Sequence, residues 1–229
     1  MLLAEEFLLL CLDDESGKKT LSSEKLPPAL GAALLVELAL MERIGVTPHD
    51  AGWRRRGRIT ITDTKPTDDA ELDAALAAVE QREDVKVKDL ISDMSGKRIT
   101  KGLLDRLVAR LVAAGALGEE RSTVLGLRRW PTADPGPEQE VLARLQSSLV
   151  GDATPTERTV ALIALLQITG QLTKVVSTGD TREDKKALKA KAKTLTEGDW
   201  AAAAVKQAID EVYAMMASMV AVSAAGAGG

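Results

Sequence analysis

Thr100-Lys101-Gly102-Leu103-Leu104-Asp105-Arg106-Leu107-Val108-Ala109-Arg110-Leu111-Val112-Ala113-Ala114-Gly115-Ala116-Leu117 is the stretch that decides the fold. Leu103, Leu104, Leu107, Val108, Leu111 and Val112 recur at helical spacing on one stripe. Lys101, Asp105, Arg106 and Arg110 lie off it, the pattern of a helix with one buried face. Gly115 stands where a helix C-cap belongs. Upstream, residues 87–94 read as another helix, and Thr67-Asp68-Asp69 opens an alanine-rich one through Val79. Residues 53–62 read as a basic loop followed by a β-branched strand. Pro27-Pro28 opens a helix whose Leu30, Leu34, Leu35, Leu38 and Met41 keep helical spacing, stopped by Gly45 and Pro48. Residues 1–12 form a short apolar element, and a turn at 13–18 returns through Thr20 and Leu21 as a small hairpin.

Downstream, Gly118 to Ser122 reads as a turn and Thr123 to Trp130 as the returning strand. Pro131, Pro135, Gly136 and Pro137 break the chain. Helices follow at Glu138–Leu149, from the cap signature Thr154-Pro155-Thr156-Glu157 through Ile168, at Arg182–Leu195, and from Asp199 to Val222 with Val205, Ile209, Val212, Met216 and Met219 on one face. The fold expected is mainly α: a helical bundle surrounded by amphipathic helices with two or three short β-hairpins. One domain over residues 1–229 is expected, with 223–229 as a disordered tail.

Composition narrows the function classes. The 229 residues are 45% hydrophobic and 28% charged but only 2% aromatic, with one Phe, one Tyr and three Trp, so the core must be aliphatic. The one cysteine, Cys11, permits no internal disulfide, and the one histidine, His49, no multi-histidine metal site. Cys11 reads as a small core hydrophobe and His49 as a loop residue. No nucleophile motif, carboxylate pair or phosphate-cradling glycine loop points to an enzyme, and no cofactor or metal is expected. The net charge of −4 and pI near 5.3 disfavour generic nucleic-acid binding. The first residues carry acids where a secretory signal carries bases. The most apolar internal run, Thr159–Thr173, falls short of the roughly 20 residues a span requires. A cytoplasmic protein is expected, touching a membrane without crossing it.

Four stretches, in order over nearly the whole chain, resemble the GPP34 (Golgi phosphoprotein 3-like) family. They are Leu2-Leu3-Ala4-Glu5-Glu6-Phe7-Leu8-Leu9-Leu10-Cys11-Leu12, Gly31 to Leu40 with the basic loop and strand behind it, Leu104 to Leu117 followed by a hairpin, and Arg158 to Gln167. With the alanine-rich, asparagine-free composition, the resemblance implies a bacterial member. It also implies a peripheral membrane protein at the inner face of the membrane, not an enzyme. Such a protein recognises phosphatidylinositol 4-phosphate-like headgroups and holds cytosolic tails of membrane proteins. The family's eukaryotic headgroup pocket of one Trp and three Arg falls at Ser22, Gly31, Lys101 and Leu104, where only Lys101 keeps the charge.

The residues suggest a substitute site. Arg54, Arg55, Arg56 and Arg58 are the densest basic cluster, and Lys97, Arg98 and Lys101 stand at a helix start, where backbone N–H groups favour anions. Cations near an anionic membrane are worth about 1 kcal/mol each. Stable attachment takes a second signal. Leu125, Leu127 and Trp130 of the second hairpin are candidates to insert in a membrane or face a second copy in a homo-oligomer. They equally suit packing on the domain's own core, just as the arginines suit a solvated loop paired with nearby acids. The lysine run 185–193 reads as a solvated helix face. The alternative function is a winged-helix-like DNA-binding regulator built from residues 89–130, with Lys101, Arg106 and Arg110 on phosphates.

Overall fold

The helix that opens at the paired prolines is the axis of the molecule. The computed structural model describes residues 1–47, 58–82, 100–121, 128–176, 179, 181–199, 201 and 203–226. Helix α1 spans Leu3–Leu9 and α2 Leu26–Leu40. Every residue of α2 from Pro28 to Ala39 is buried, as suits a helix that is apolar all round. The chain then turns sharply. Glu42 takes a left-handed φ of 55°, and the Arg43 N–H donates to the Leu38 carbonyl at 2.8 Å, closing the helix with a Schellman motif.

That turn delivers β1 (Ile44–Val46), which pairs antiparallel with β2 (Ile59–Ile61) in the register Ile44↔Ile61 and Val46↔Ile59. Helix α3 (Ala70–Glu80) starts at Asp69, whose carboxylate accepts from the Glu71 and Leu72 N–H groups. Helix α4 (Leu103–Ala113) buries Leu103, Leu107, Val108 and Leu111. It ends as the sequence predicts, with Gly115 at φ 78°. It is shorter at the front than predicted, because Gly102 already has a left-handed φ of 72°.

Strands β3 (Glu120–Arg121) and β4 (Arg128–Arg129) form the second hairpin, with Arg121 opposite Arg128. The sequence placed the turn at 118–122. The chain instead pairs as soon as α4 ends, through a Leu117↔Thr132 bridge and the Gly118 N–H on the Pro131 carbonyl at 2.8 Å. The pairing therefore runs past the predicted turn to Glu120–Arg121 and Arg128–Arg129, and residues 122–127 lie outside the described residues. The first predicted hairpin is present in short form: Leu12 bridges Lys19, the Thr20 N–H donates to the Cys11 carbonyl at 2.8 Å and the Asp13 N–H to the Lys18 carbonyl at 2.9 Å, while the residues before it form the helix α1.

Helices α5 (Gly136–Leu149), α6 (Glu157–Thr169), α7 (Leu172–Val175), α8 (Arg182–Glu197) and α9 (Ala203–Gly226) complete the described elements. Around α2 pack α1, α3, α4, α6, α9 and β1. The mainly helical architecture with short hairpins is thus the one the periodicity predicts. The predicted helix at 87–94 lies outside the described residues, as does the last part of the predicted tail, 227–229.

The core is aliphatic, as 2% aromatic content requires. Phe7, Trp130 and Tyr213 are its aromatic members among the described residues. Cys11 is fully buried, and burial pushes its thiol up to about 12, so it packs as a hydrophobe and does not react. Tyr213 fastens α9 to α6 by donating its buried hydroxyl to the Ala161 carbonyl. Tyr213→Phe should lower stability by about 1 kcal/mol at unchanged helix content, measured as a shift in the urea midpoint.

Candidate functional site

Helix α1 is entirely buried, yet two of its seven residues are acids. Glu5 and Glu6 must therefore have partners, because an unpaired charge is not tolerated there. Arg158 of α6 supplies the largest share. Its Nε donates to Glu6 Oε1 at 3.1 Å, its Nη1 to Glu37 Oε1 of α2 at 2.6 Å, and its Nη2 to the Met1 carbonyl at 2.8 Å. Arg144 of α5 adds a 3.0 Å contact to Glu6. The other Glu37 oxygen accepts from the Leu3 N–H at 2.7 Å, at the start of α1. Burial works against the Arg158 charge, but Glu37 and Glu6 outweigh it and hold the guanidinium pKa up. The sequence carries a signal of this network, acids inside apolar helices, but not the partners.

A second set of ion pairs lies under α4. Arg110 Nε meets Glu5 Oε1 and its Nη2 meets Asp69 Oδ2, both at 2.7 Å. Arg106 grips Glu71 of α3 with Nε at 2.7 Å and Nη2 at 2.9 Å, a two-pronged pair with its own geometric specificity. Burial opposes the Asp69 charge, yet Arg110 and two backbone N–H groups lower its pKa. These contacts weigh against the DNA reading. Two of its three phosphate-binding cations, Arg106 and Arg110, hold α4 to α1 and α3.

Lys101 is the exception. It is exposed and has no acid partner among the described residues. Its backbone is fixed, because Arg106 Nη1 donates to the Lys101 carbonyl at 2.9 Å. Gly102 follows it as the N-cap of α4 and brings no side-chain cap. An exposed ammonium thus stands beside a helix start whose N-cap glycine supplies no side-chain cap, while the Leu103 N–H donates to the Thr100 carbonyl at 3.0 Å; a cation in that place favours an anion.

The other predicted positions divide. Of the eukaryotic pocket equivalents, Ser22 is exposed, Gly31 is buried within α2, and Leu104 is half-buried against the core. Gly31 and Leu104 therefore serve packing, and only Lys101 faces outward as a cation. Arg54, Arg55, Arg56, Arg98, Leu125 and Leu127 lie outside the described residues. Trp130 corrects the insertion reading. It is 6% exposed and belongs to the core, and its N–H donates to the Gly17 carbonyl at 3.1 Å. The lysine run on α8 is exposed, as predicted for a solvated face.

An open groove of about 750 Å³ runs along the start of α9, lined by Asp199, Lys206, Gln207, Asp210 and Glu211. No helix among the described residues is long and apolar enough to cross a membrane.

The sequence model of the Golgi phosphoprotein 3 (GPP34) family matches residues 3–212. The chain is also similar to the vacuolar protein sorting-associated protein 74 of Eremothecium gossypii. The two are 30% identical over 207 residues, covering 78% of this chain and 62% of the relative. This chain therefore matches less than two thirds of that relative's length.

Proposed function

The chain belongs to the Golgi phosphoprotein 3 (GPP34) family, and from that membership we propose that it is a peripheral membrane adaptor that binds anionic lipid headgroups and performs no catalysis. The observation that carries this reading is Lys101. Beside it, Arg106 and Arg110 are spent on acids, while Lys101 remains exposed at a helix start whose N-cap is a glycine. The basic residues Arg98, Arg54, Arg55 and Arg56 would add to the same attraction, and Leu125 and Leu127 in the 122–127 connection would supply the apolar second signal. With Trp130 committed to the core, that second signal is smaller than the sequence alone suggests. Cytosolic tails of membrane proteins are the protein partners such an adaptor would hold.

The test is a vesicle titration. Phosphatidylcholine vesicles carrying phosphatidylinositol, phosphatidylglycerol or cardiolipin should bind the protein at low salt, and pure phosphatidylcholine should not. Lys101→Ala should weaken binding about fivefold, and Lys101→Glu about 30-fold, from roughly 1 and 2 kcal/mol of lost attraction. Unchanged partitioning of Lys101→Glu would remove Lys101 from the site.

A further inference from the structure

Between the loop that follows α1, helix α5 and helix α7 lies an open cavity of about 250 Å³. Leu10, Leu12, Leu142 and Val175 give it an aliphatic lining. Its polar lining comes from three directions: Asp13, Asp14 and Thr20 from the loop, Glu138 from the first turn of α5, and Gln171 and Lys174 from α7 and its N-cap.

The α7 side is fixed by its backbone. The Gln171 N–H donates to the Leu166 carbonyl at 2.8 Å, and the Gln171 carbonyl accepts from the Lys174 and Val175 N–H groups at 2.9 and 3.0 Å. Gln171 is 2% exposed. Its Oε1 accepts from the Thr20 hydroxyl at 3.2 Å, but its side-chain N–H donors have no protein partner among the described residues. Nor are they sealed in: the sealed, unpartnered side-chain atoms among the described residues are Glu6 Oε2 and Arg43 Nη1. The amide therefore opens on the cavity it lines, where a buried donor needs an acceptor.

The charges of the lining are left open in the same way. Lys174 is exposed, and no acid among the described residues lies within ion-pair range of it. Asp14 and Glu138 likewise have no cation in range. Asp14 has only the Thr132 hydroxyl, at 3.4 Å. Asp13 is already engaged by the Ser16 hydroxyl at 2.6 Å and N–H at 2.8 Å. Burial, and after it the charge of Asp14, pushes the Glu138 carboxyl up to about 7, as befits a half-buried carboxyl without a cation.

We infer that this cavity binds a small zwitterion, a free aliphatic α-amino acid, with its ammonium toward Glu138 and Asp14, its carboxylate toward Lys174 and the Gln171 amide, and its side chain on the aliphatic lining. The size agrees: 250 Å³ is about eight water volumes of roughly 30 Å³ each, close to the bulk of valine. A simple cation would leave the Lys174 and Gln171 donors without an acceptor, and a simple anion would face two unpaired acids. Phosphoethanolamine, free or as a lipid headgroup, shares the ammonium and the anion. It brings more negative charge to a lining with one cation, and no aliphatic group for the leucines.

The experiment titrates L-valine into the isotope-labelled full chain at pH 7 and follows amide NMR shifts. The Gln171 side-chain amide and the Val175 backbone amide should move, with a Kd of about 1 mM or tighter for a ligand of this size. The Leu34 and Leu35 amides of α2 should stay in place. Valinamide lacks the carboxylate and isovalerate lacks the ammonium, so each should bind about tenfold more weakly or worse. Phosphoethanolamine should also bind more weakly than valine. Lys174→Met should weaken valine about tenfold and leave valinamide unchanged, whereas Glu138→Gln should weaken valine about tenfold and leave isovalerate unchanged. Asp14→Asn takes the place of Glu138→Gln if that variant folds poorly. The inference is overturned by an unmoved Gln171 amide at about ten times the expected Kd, by valinamide or isovalerate binding as tightly as valine, by phosphoethanolamine binding more tightly, or by unchanged valine affinity in either variant. Lipid takes no part in these readouts, so failure here leaves membrane binding standing.

Discussion

Arg158→Ala is expected to destabilise the protein by about 3–5 kcal/mol, the cost of leaving buried charge without its partner. Arg158 is three-quarters covered, with 27% of its side chain exposed, and it faces Glu6 and Glu37 at 6% and 10%. Without it Glu37 retains the Leu3 N–H, and Glu6 retains only Arg144. The second Glu6 oxygen is already buried with no hydrogen-bond partner among the described residues, so nothing local takes over. The same change frees the Met1 carbonyl and loosens the entry to α1. Urea unfolding measures the loss. Adding Glu37→Gln to the alanine variant should cost less than adding it to wild type, and that coupling separates the ion pair from general packing. A loss below about 1 kcal/mol, the scale of exposed pairs, would mean that the network is a surface feature.

Gly17→Ala should be the next most damaging single change, at about 2–4 kcal/mol. Gly17 has a φ of 59°, a conformation that costs an L-residue about 1–2 kcal/mol. A Cβ there would also run into the Trp130 and Pro131 backbone nitrogens. Backbone atoms cannot rotate away as a side chain does, so the loop or the hairpin must shift, at roughly 1–3 kcal/mol for overpacking. The damage should be local first, with the Trp130 amide losing protection before the α2 amides do. Gly118→Ala is the control. Its Cβ would meet Pro131 atoms at 3.6 Å and beyond, ordinary contact, so it should be nearly neutral in thermal melts. Equal losses for the two variants would show that the close approach at Gly17 does not hold the hairpin.

The helices were legible in the sequence where period and cap agree. Asp69, Thr156 and Gly115 mark ends of α3, α6 and α4 that the structure confirms. Helix α1 was not legible as a helix, because its continuous apolar run has no face to reveal a period. Strand β1 is three residues long and exists through its partner β2, seen only once the chain is folded. The candidate site was legible in part. The charge of Lys101 and its place at a helix start follow from local sequence. The loss of Arg106 and Arg110 as free cations does not, since their acids lie on other helices, 35 residues away for Glu71 and farther for Glu5. Trp130 shows the same limit. Its place in the second hairpin suggests an interface, whereas contact with Gly17, far away in sequence, places it in the core.

Flotation of the wild-type protein tests membrane binding most directly, using phosphatidylcholine vesicles with and without phosphatidylinositol, at low salt and again at about 0.5 M, where charges are screened beyond a few ångströms. The protein should float with the anionic vesicles at low salt, stay behind with the neutral ones, and be released by salt. Recovery in the soluble fraction with both vesicle types at low salt would contradict membrane binding through Lys101 and its neighbours.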